Sequence, residues 1–221
     1  MDLIPILRTS PLFEGASGEE VHALIQCLGG RVRDFPRDYT IIDEGECSDE
    51  LGIVLKGAVH INRHDFWGNR SLVANVTIGE SFAEALACTA LPSEVSVVTA
   101  THCSILFLDV HKIITSCENN CRYHHTLIEN MVRLLSRKNL ELMKKITHLT
   151  KRSTREKLLS YLLAESKRQG SRSFTIPFDR QQLADYLAVE RSAMSSELSK
   201  MRDDGLVEYQ RRDFTLHYEE H

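Results

Sequence analysis

The chain has 221 residues, 42% of them apolar, and a formal net charge of −4, which suits one large or two modest domains with a full core. That balance excludes a globally basic nucleic-acid binder, and no apolar run approaches the ~20 residues of a membrane-spanning helix, so no membrane partner is expected. Residues 150–221 carry 13 Lys+Arg against 12 Asp+Glu and the remainder 14 against 19, so any nucleic-acid contact must rest on where the basic residues stand.

The opening stretch, MDLIPILRTSPLFEG, lacks the basic start, apolar core and small-residue cleavage site of a signal peptide, which points to a cytoplasmic protein. Its six scattered cysteines are then expected to stay reduced. Cys117 and Cys121 stand close together and are followed by His124 and His125. On a helix these four would share a face and could hold a metal. No second cysteine pair supports that, and buried or half-exposed thiols read the same, so no metal is expected.

Residues 16–28, ASGEEVHALIQCL, have helical spacing: Val21, Leu24, Ile25 and Leu28 fall on one face and Ser17 can cap the start. From about 30 to 110 short alternating or apolar runs recur, YTIID, ELGIVLKGAVHIN, RSLVANV, VSVVTA and CSILFLD, separated by turns such as DEGECSD, KG and FWGN. This spacing predicts an antiparallel barrel or jelly roll, with Gly45, Gly57, Gly68 and Gly79 at its turns or bends. From 118 to 149 no Gly or Pro interrupts. Ile128, Leu135, Leu142 and Leu149 repeat every seven residues, as do Val132, Asn139 and Ile146. A strict period of seven favours helix on helix, with Asn139 at a position where a buried amide pairs with its twin and fixes register.

TKRST then reads as a hinge, and Ser153 or Thr154 can cap the next helix, which ends at Gly170. SFTIPF reads as a short edge strand because of its proline. Asp179 caps RQQLADYL, a break follows at Ala188-Val189, ERSAMSSELSKMRDDG is a further helix closed by Gly205, and LVEYQ-RRD-FTLHY is a hairpin. Two short helices joined by a tight turn and followed by a hairpin describe a winged helix-turn-helix. Leu183, Ala184, Leu187, Val189, Met194 and Leu198 form its buried set. The outward residues of the second helix are Glu190, Arg191, Ser192, Ser195, Ser196 and Lys200. Arginine can grip guanine O6 and N7 together, and serine can serve base edges or phosphates. Arg180 and Gln181, at the start of the first helix, are placed to approach the DNA backbone, as are Arg211 and Arg212 at the wing tip.

With PLFEGASGEE leading in, KGAVHI and IGE inside the roll, then a long helix and a winged helix, the whole chain resembles the CRP/FNR family of bacterial transcription regulators. The resemblance implies an α+β fold in three parts: an effector-sensing β-roll over 1–117 like a cyclic-nucleotide-binding jelly roll, a dimerisation helix over 118–149, and a DNA-binding winged helix-turn-helix over 150–221. It implies a homodimer on double-stranded DNA, with a pseudo-palindromic site because two recognition helices enter successive major grooves. Family activators can touch RNA polymerase through a segment such as SKRQGSRS, although a solvated basic turn reads the same. Of the arginine, glutamate and second arginine with which family members often read bases, Arg191 matches the first. Ser192 and Ser196 stand in place of the other two, while Ser195 matches a serine of the oxygen-sensing branch. Glu197 stands where the motif usually places an apolar residue.

The family's cyclic-nucleotide contacts carry over poorly. Ala83-Glu84 stands for a Gly-Glu pair, Glu94-Val95 for the Arg-Ser or Arg-Thr pair that clamps phosphate, and Leu142 and Met143 for two hydroxyl residues that meet adenine. A carboxylate in place of a guanidinium turns attraction for an anion into repulsion. The expected effector is therefore not cyclic AMP but a small apolar or mixed organic molecule, or none, in a pocket lined by Phe82, Leu86, Leu142 and Met143. An iron–sulfur cluster is not expected, since Cys27 is the first cysteine and stands alone near the start. Haem stays open, with His60, His64, His102, His111 and Cys88 as candidate ligands and no pattern singling one out. The alternative to a switched regulator is a haem or small-molecule sensor whose DNA-binding half is vestigial. No nucleophile stands paired with a base and no H-x-H motif occurs, so an enzyme is not expected.

Overall fold

The computed structural model describes residues 3–64, 70–115 and 122–217. Residues Met1–Arg137 pack as one unit and Lys138–His221 as another. In chain order the first unit has α1 (Ile4–Leu7), a 3-10 turn at Pro11–Phe13, α2 (Gly18–Cys27), β1 (Arg31–Phe35), β2 (Thr40–Ile42), β3 (Glu50–Lys56), β4 (Val59–His64), β5 (Arg70–Val76) and β6 (Ser81–Phe82). It continues with α3 (Glu84–Thr89), β7 (Ser96–Thr99), β8 (Cys103–Asp109), α4 (Val110–Ile114) and the first part of α5 (Arg122–Leu149). The second unit takes the end of α5, then α6 (Thr154–Gln169), β9 (Ser173–Thr175), α7 (Arg180–Tyr186), α8 (Arg191–Asp203), β10 (Val207–Gln210) and β11 (Asp213–Leu216).

The roll is two antiparallel four-stranded sheets, ordered β1-β8-β3-β6 and β2-β7-β4-β5. Side chains alternate across a strand, and in β3 and β8 both faces are apolar. Val54, Ile105 and Phe107 point between the sheets, where they meet Ile42, Val59, Val76, Phe82 and Val97. Leu51, Ile53, Leu55, Leu106 and Leu108 point the other way, into a second core closed by Leu7, Leu12, Phe13, Val21, Leu24, Leu28, Val110 and Ile113. From α5, Leu127, Met131 and Leu134 join this second core, with Ile128 and Leu135 packed against it. Gly45, Gly57 and Gly79 all have positive φ, as their turn positions require. Gly68 and the FWGN turn lie outside the described residues.

The expected capping of α2 is present in full: Ser17 Oγ accepts from Glu20 N–H, and Glu20 accepts from Ser17 N–H. The strand β1 was not among the expected ones. Its sequence, RVRDF, is exposed over most of its length, and it is recruited by pairing with β8 at the sheet edge. Arg31 and Arg33 both pair with Glu50, at 2.6 and 3.6 Å.

Gly52 of β3 makes room for the ring of Phe82 on β6, the neighbouring strand of the same sheet. A Cβ there would lie 2.2 Å from the Phe82 ring, whose side chain is fully buried. Overpacking of this kind costs about 1–3 kcal/mol, so Gly52→Ala is expected to lower the urea midpoint of the roll by that equivalent, with the slope unchanged.

Candidate nucleic-acid interface and effector site

The second unit builds an outward helix on a small core. α6 starts at a capping box between Ser153 and Glu156 and stops at Gly170, which has φ +63. Leu158, Tyr161 and Leu162 of α6 meet Leu183, Ala184 and Leu187 of α7 and Met194, Leu198 and Met201 of α8. Phe174, Ile176, Val207, Phe214 and Leu216 complete this core from the three-stranded sheet β10-β11-β9, in which β9 is an edge as expected. Asp179 and Gln182 cap α7 reciprocally. The turn between α7 and α8 passes through Ala188 at φ 48, and Val189 N–H donates to Ala184 C=O at 3.0 Å. Lys157 Nζ donates to the carbonyls of Leu187 and Ala188 at 3.2 and 3.3 Å, which satisfies the carbonyl end of α7.

Glu197 is held where an apolar side chain was the usual choice. Arg155 of α6 bonds Glu197 at 3.3 Å and Asp204 at 2.5 Å, and Lys200 lies 3.8 Å from Glu197. This network joins the middle and the C-terminal end of α8 to α6, so the carboxylate replaces packing by charge-assisted hydrogen bonds.

Two of the outward residues of α8 are committed to its cap. Glu190 accepts from the backbone N–H groups of Ser192 and Ala193 at 3.0 and 2.8 Å and from the Ser192 hydroxyl. The Ser192 hydroxyl bond and then these backbone bonds hold the Glu190 carboxyl below its ordinary pKa. Both side chains remain exposed on the outward side of the helix. Ser195 is half-buried and donates to the Arg191 carbonyl at 2.9 Å. Arg191 and Ser196 are exposed, and among the described residues neither side chain makes a hydrogen bond or ion pair. Gln181 is exposed and donates to Asp185 at 2.8 Å.

Arg180, expected to approach the DNA backbone, packs on the wing. It is half-buried, with its guanidinium over the wing rings, 4.6 Å from the Tyr209 centroid and 5.1 Å from that of Phe214. It thereby joins the start of α7 to the wing through cation–π contact. Burial pushes its pKa down, against the opposing pull of Tyr209. Arg211 sits at φ 54 in the wing turn, and both it and Arg212 are exposed.

In the roll, Gly79 has φ 84 and Glu80 turns back to accept from Thr77 N–H and its hydroxyl at 2.7 and 3.0 Å. Ala83 adopts φ 63, the left-handed conformation that the Gly of a Gly-Glu pair supplies without strain. Glu84 is buried and accepts from the Ser81 hydroxyl. Cys88, on the same short helix, has its thiol pKa pushed up by burial and then by Glu84. Glu94 is exposed and faces Arg63 at 3.7 Å, while Val95 is half-buried. Phe82, expected to line a pocket, is instead a core residue, its ring edge-on to Phe107 at 6.4 Å. Leu142 and Met143 belong to the second unit and are exposed.

The predicted helix seam divides. Ile128 and Leu135 are partly covered by their own unit's core, because the sequence period could not distinguish that surface from a partner helix. Leu149 is half-buried and Asn139 exposed. Val132, Leu142 and Ile146 are 58%, 60% and 57% exposed, beside the equally exposed Leu140 and Met143. His124 and His125 do not share a face. His124 is buried with Nε2 at 2.7 Å from the Ile113 carbonyl, and His125 lies in solvent beside Glu129. Cys117 and Cys121 lie outside the described residues. Among the described residues no group of three His, Cys, Asp or Glu could hold a metal ion. His64 pairs with Glu44 at 3.0 Å and His111 stands 3.9 Å from Asp49.

Family models match both units. A Crp-like helix-turn-helix domain matches residues 156–220, and a cyclic nucleotide-binding domain matches 32–120. The chain belongs to the CRP/FNR family of transcription regulators. A relative of this CRP-like regulator, the CRP-like cAMP-activated global transcriptional regulator of Mycobacterium tuberculosis, is 23% identical over 91% of this chain and 90% of its own. Among solved structures, the catabolite activator protein of Thermus thermophilus aligns with a TM-score of 0.52, 23% identity and 94% coverage of both chains. The c-di-GMP-responsive regulator CLP of Xanthomonas campestris aligns with a TM-score of 0.61, 18% identity and coverage of 92% of this chain and all of its own.

A non-glycine residue held left-handed costs on the order of 1 kcal/mol, part of which is offset by the greater freedom of glycine in the unfolded chain. Ala83→Gly is therefore expected to stabilise the roll by about 0.5 kcal/mol, read as a rise in the urea midpoint.

Proposed function

We propose that this DNA-binding transcription regulator acts as a homodimer on a pseudo-palindromic site. Its roll answers to an effector other than cyclic AMP. The observation that carries the reading is the outward face of α8, where an exposed Arg191 and Ser196 stand on a helix fixed at its start by the Glu190 cap and along its length by Arg155. Arg191 is the side chain suited to a guanine, while Arg211 and Arg212 at the wing supply sequence-independent phosphate contact. The shortage of strong base readers favours a site unlike that of the cyclic-AMP receptor.

The exposed row Val132, Leu142 and Ile146, with Asn139 between them, supports pairing of α5 with its copy. The M. tuberculosis relative is named as cAMP-activated, but that ligand does not carry over. Glu94 occupies the place of the phosphate clamp, and the nearby Arg63 is already opposed by it. The effector acts by differential affinity for two dimer geometries. No catalytic step is assigned, and the protein is placed in the cytoplasm because its partner is DNA. Among the described residues no helix is long and apolar enough to cross a membrane.

Selection of bound sequences from random DNA, with and without a metabolite pool, tests the whole reading, and recovery of no palindrome would overturn it. Arg191→Ala should cost about 1–3 kcal/mol of operator binding and relax one position of each half-site, whereas replacing Arg211 and Arg212 should weaken all sequences alike and flatten the salt dependence. Ile146→Asp should convert the dimer to a monomer in sedimentation equilibrium at micromolar protein.

A further inference from the structure

Near the end of α5 one titratable side chain is buried without a charged partner of its own. His148 is only 5% exposed. A 2.8 Å hydrogen bond links its Nδ1 to Ser160 Oγ of α6. Its ring stands edge-on to Tyr161 of α6 at 5.8 Å and tilted against Tyr186 of α7 at 6.5 Å. Those two rings and Phe178 form one cluster, with Tyr161 and Tyr186 at 5.4 Å and Phe178 and Tyr186 at 4.9 Å. Lys145, one turn earlier on α5, lies over the Tyr186 ring at 5.2 Å. The last turn of the long helix is therefore seated on α6 and on the first helix of the helix-turn-helix by aromatic contact, immediately before the connecting residues 150–153.

We propose that His148 is a proton-sensitive latch at this joint: neutral, it seats the end of α5 on α6 and α7, and protonated, it releases them and weakens DNA binding. The inference rests on the DNA-binding reading above and names a way of regulating that site.

On balance the surroundings favour the neutral ring. Burial is the largest influence and lowers its pKa; Glu165 of α6 opposes this, and Lys151 of the connection adds to it. Glu165 is itself held by Arg168 at 2.6 Å and by Gln169 at 3.2 Å, so its charge is largely spent on them. Tyr161 cannot supply a counter-charge either. Its hydroxyl is buried without a hydrogen-bond partner, and burial pushes its pKa up. Tyr186 is likewise raised, by burial and then by Glu165 and Glu141. An imidazolium here would stand among neutral rings and near two lysines, with only the shared Glu165 carboxylate to offset its loss of water.

The sign of the effect follows. The seated ring titrates below the ordinary histidine value and a released ring at that value, so protons bind the released form preferentially. The seated joint is intact above about pH 6.5, the ordinary value, and is progressively lost as the pH falls below it. Release weakens DNA binding because two recognition helices must be presented together at fixed spacing, and a loose joint populates that arrangement for only part of the time.

The test uses the full chain and its His148→Phe variant, which keeps a ring in the cluster but carries no proton. Binding is measured to a duplex bearing the palindrome selected at pH 7.5. The wild type is expected to lose affinity several-fold between about pH 7.5 and 5.5, the span around an ordinary histidine, while the variant changes much less. Parallel pH profiles, or a flat wild-type profile, would overturn the latch. If no duplex is bound at pH 7.5, the DNA-binding reading has failed and the joint is read directly. The His148 ring protons, identified by their loss in His148→Gln, should titrate below the exposed histidines in proton NMR, together with shifts in the Tyr161 and Tyr186 rings. A titration at the ordinary value would sink the proposal, whether or not the phenylalanine variant folds.

Discussion

The pairing of β3 with β8 carries apolar side chains on both faces, and the first unit is organised around that one constraint. A strand pair that must be covered twice needs a second sheet on one side and helices on the other. Val54, Ile105 and Phe107 bring in the sheet β2-β7-β4-β5, while Leu51, Ile53, Leu106 and Leu108 bring in α2, α4 and the start of α5. The long helix is thus anchored at one end by burial against its own unit. Its later outward residues, Val132, Leu142 and Ile146, are left without such cover.

The second unit solves a different problem, how to hold a mostly polar helix rigid. The buried side of α8 has only Met194, Leu198 and Met201. Polar ties supply the rest: the Glu190 cap at its start, Arg155 across Glu197 and Asp204, and Lys157 on the preceding turn. These ties come at a cost in available chemistry. The Glu190 carboxylate and the Ser192 hydroxyl are engaged in the cap, and the Arg180 guanidinium lies over the wing rings.

Much of this was legible in the chain itself. The strand runs, the capped starts at Ser17, Ser153 and Asp179, the glycine stops and the helix-turn-helix spacing are local signals, because capping and side-chain periodicity act within a few residues. The edge strand β1 was not legible. RVRDF is exposed and charged, and only hydrogen bonds from β8 make it a strand. Nor could the heptad period say that Ile128 and Leu135 lean on their own core, since a period records which face is apolar and not what covers it.

The sequence by itself determined the order of modules, the placing of Glu94 and Val95 side by side in the roll and the identity of the outward residues of α8, all of which are properties of neighbouring positions along the chain. The tertiary structure alone decided which of those residues are free. Phe82 became core because Gly52 on the neighbouring strand leaves room for its ring, Arg180 was taken by rings some thirty residues away, Glu197 found Arg155, and His148 was enclosed by two helices and their tyrosines. Burial and pairing depend on residues that meet only when the chain folds, and no local pattern records them.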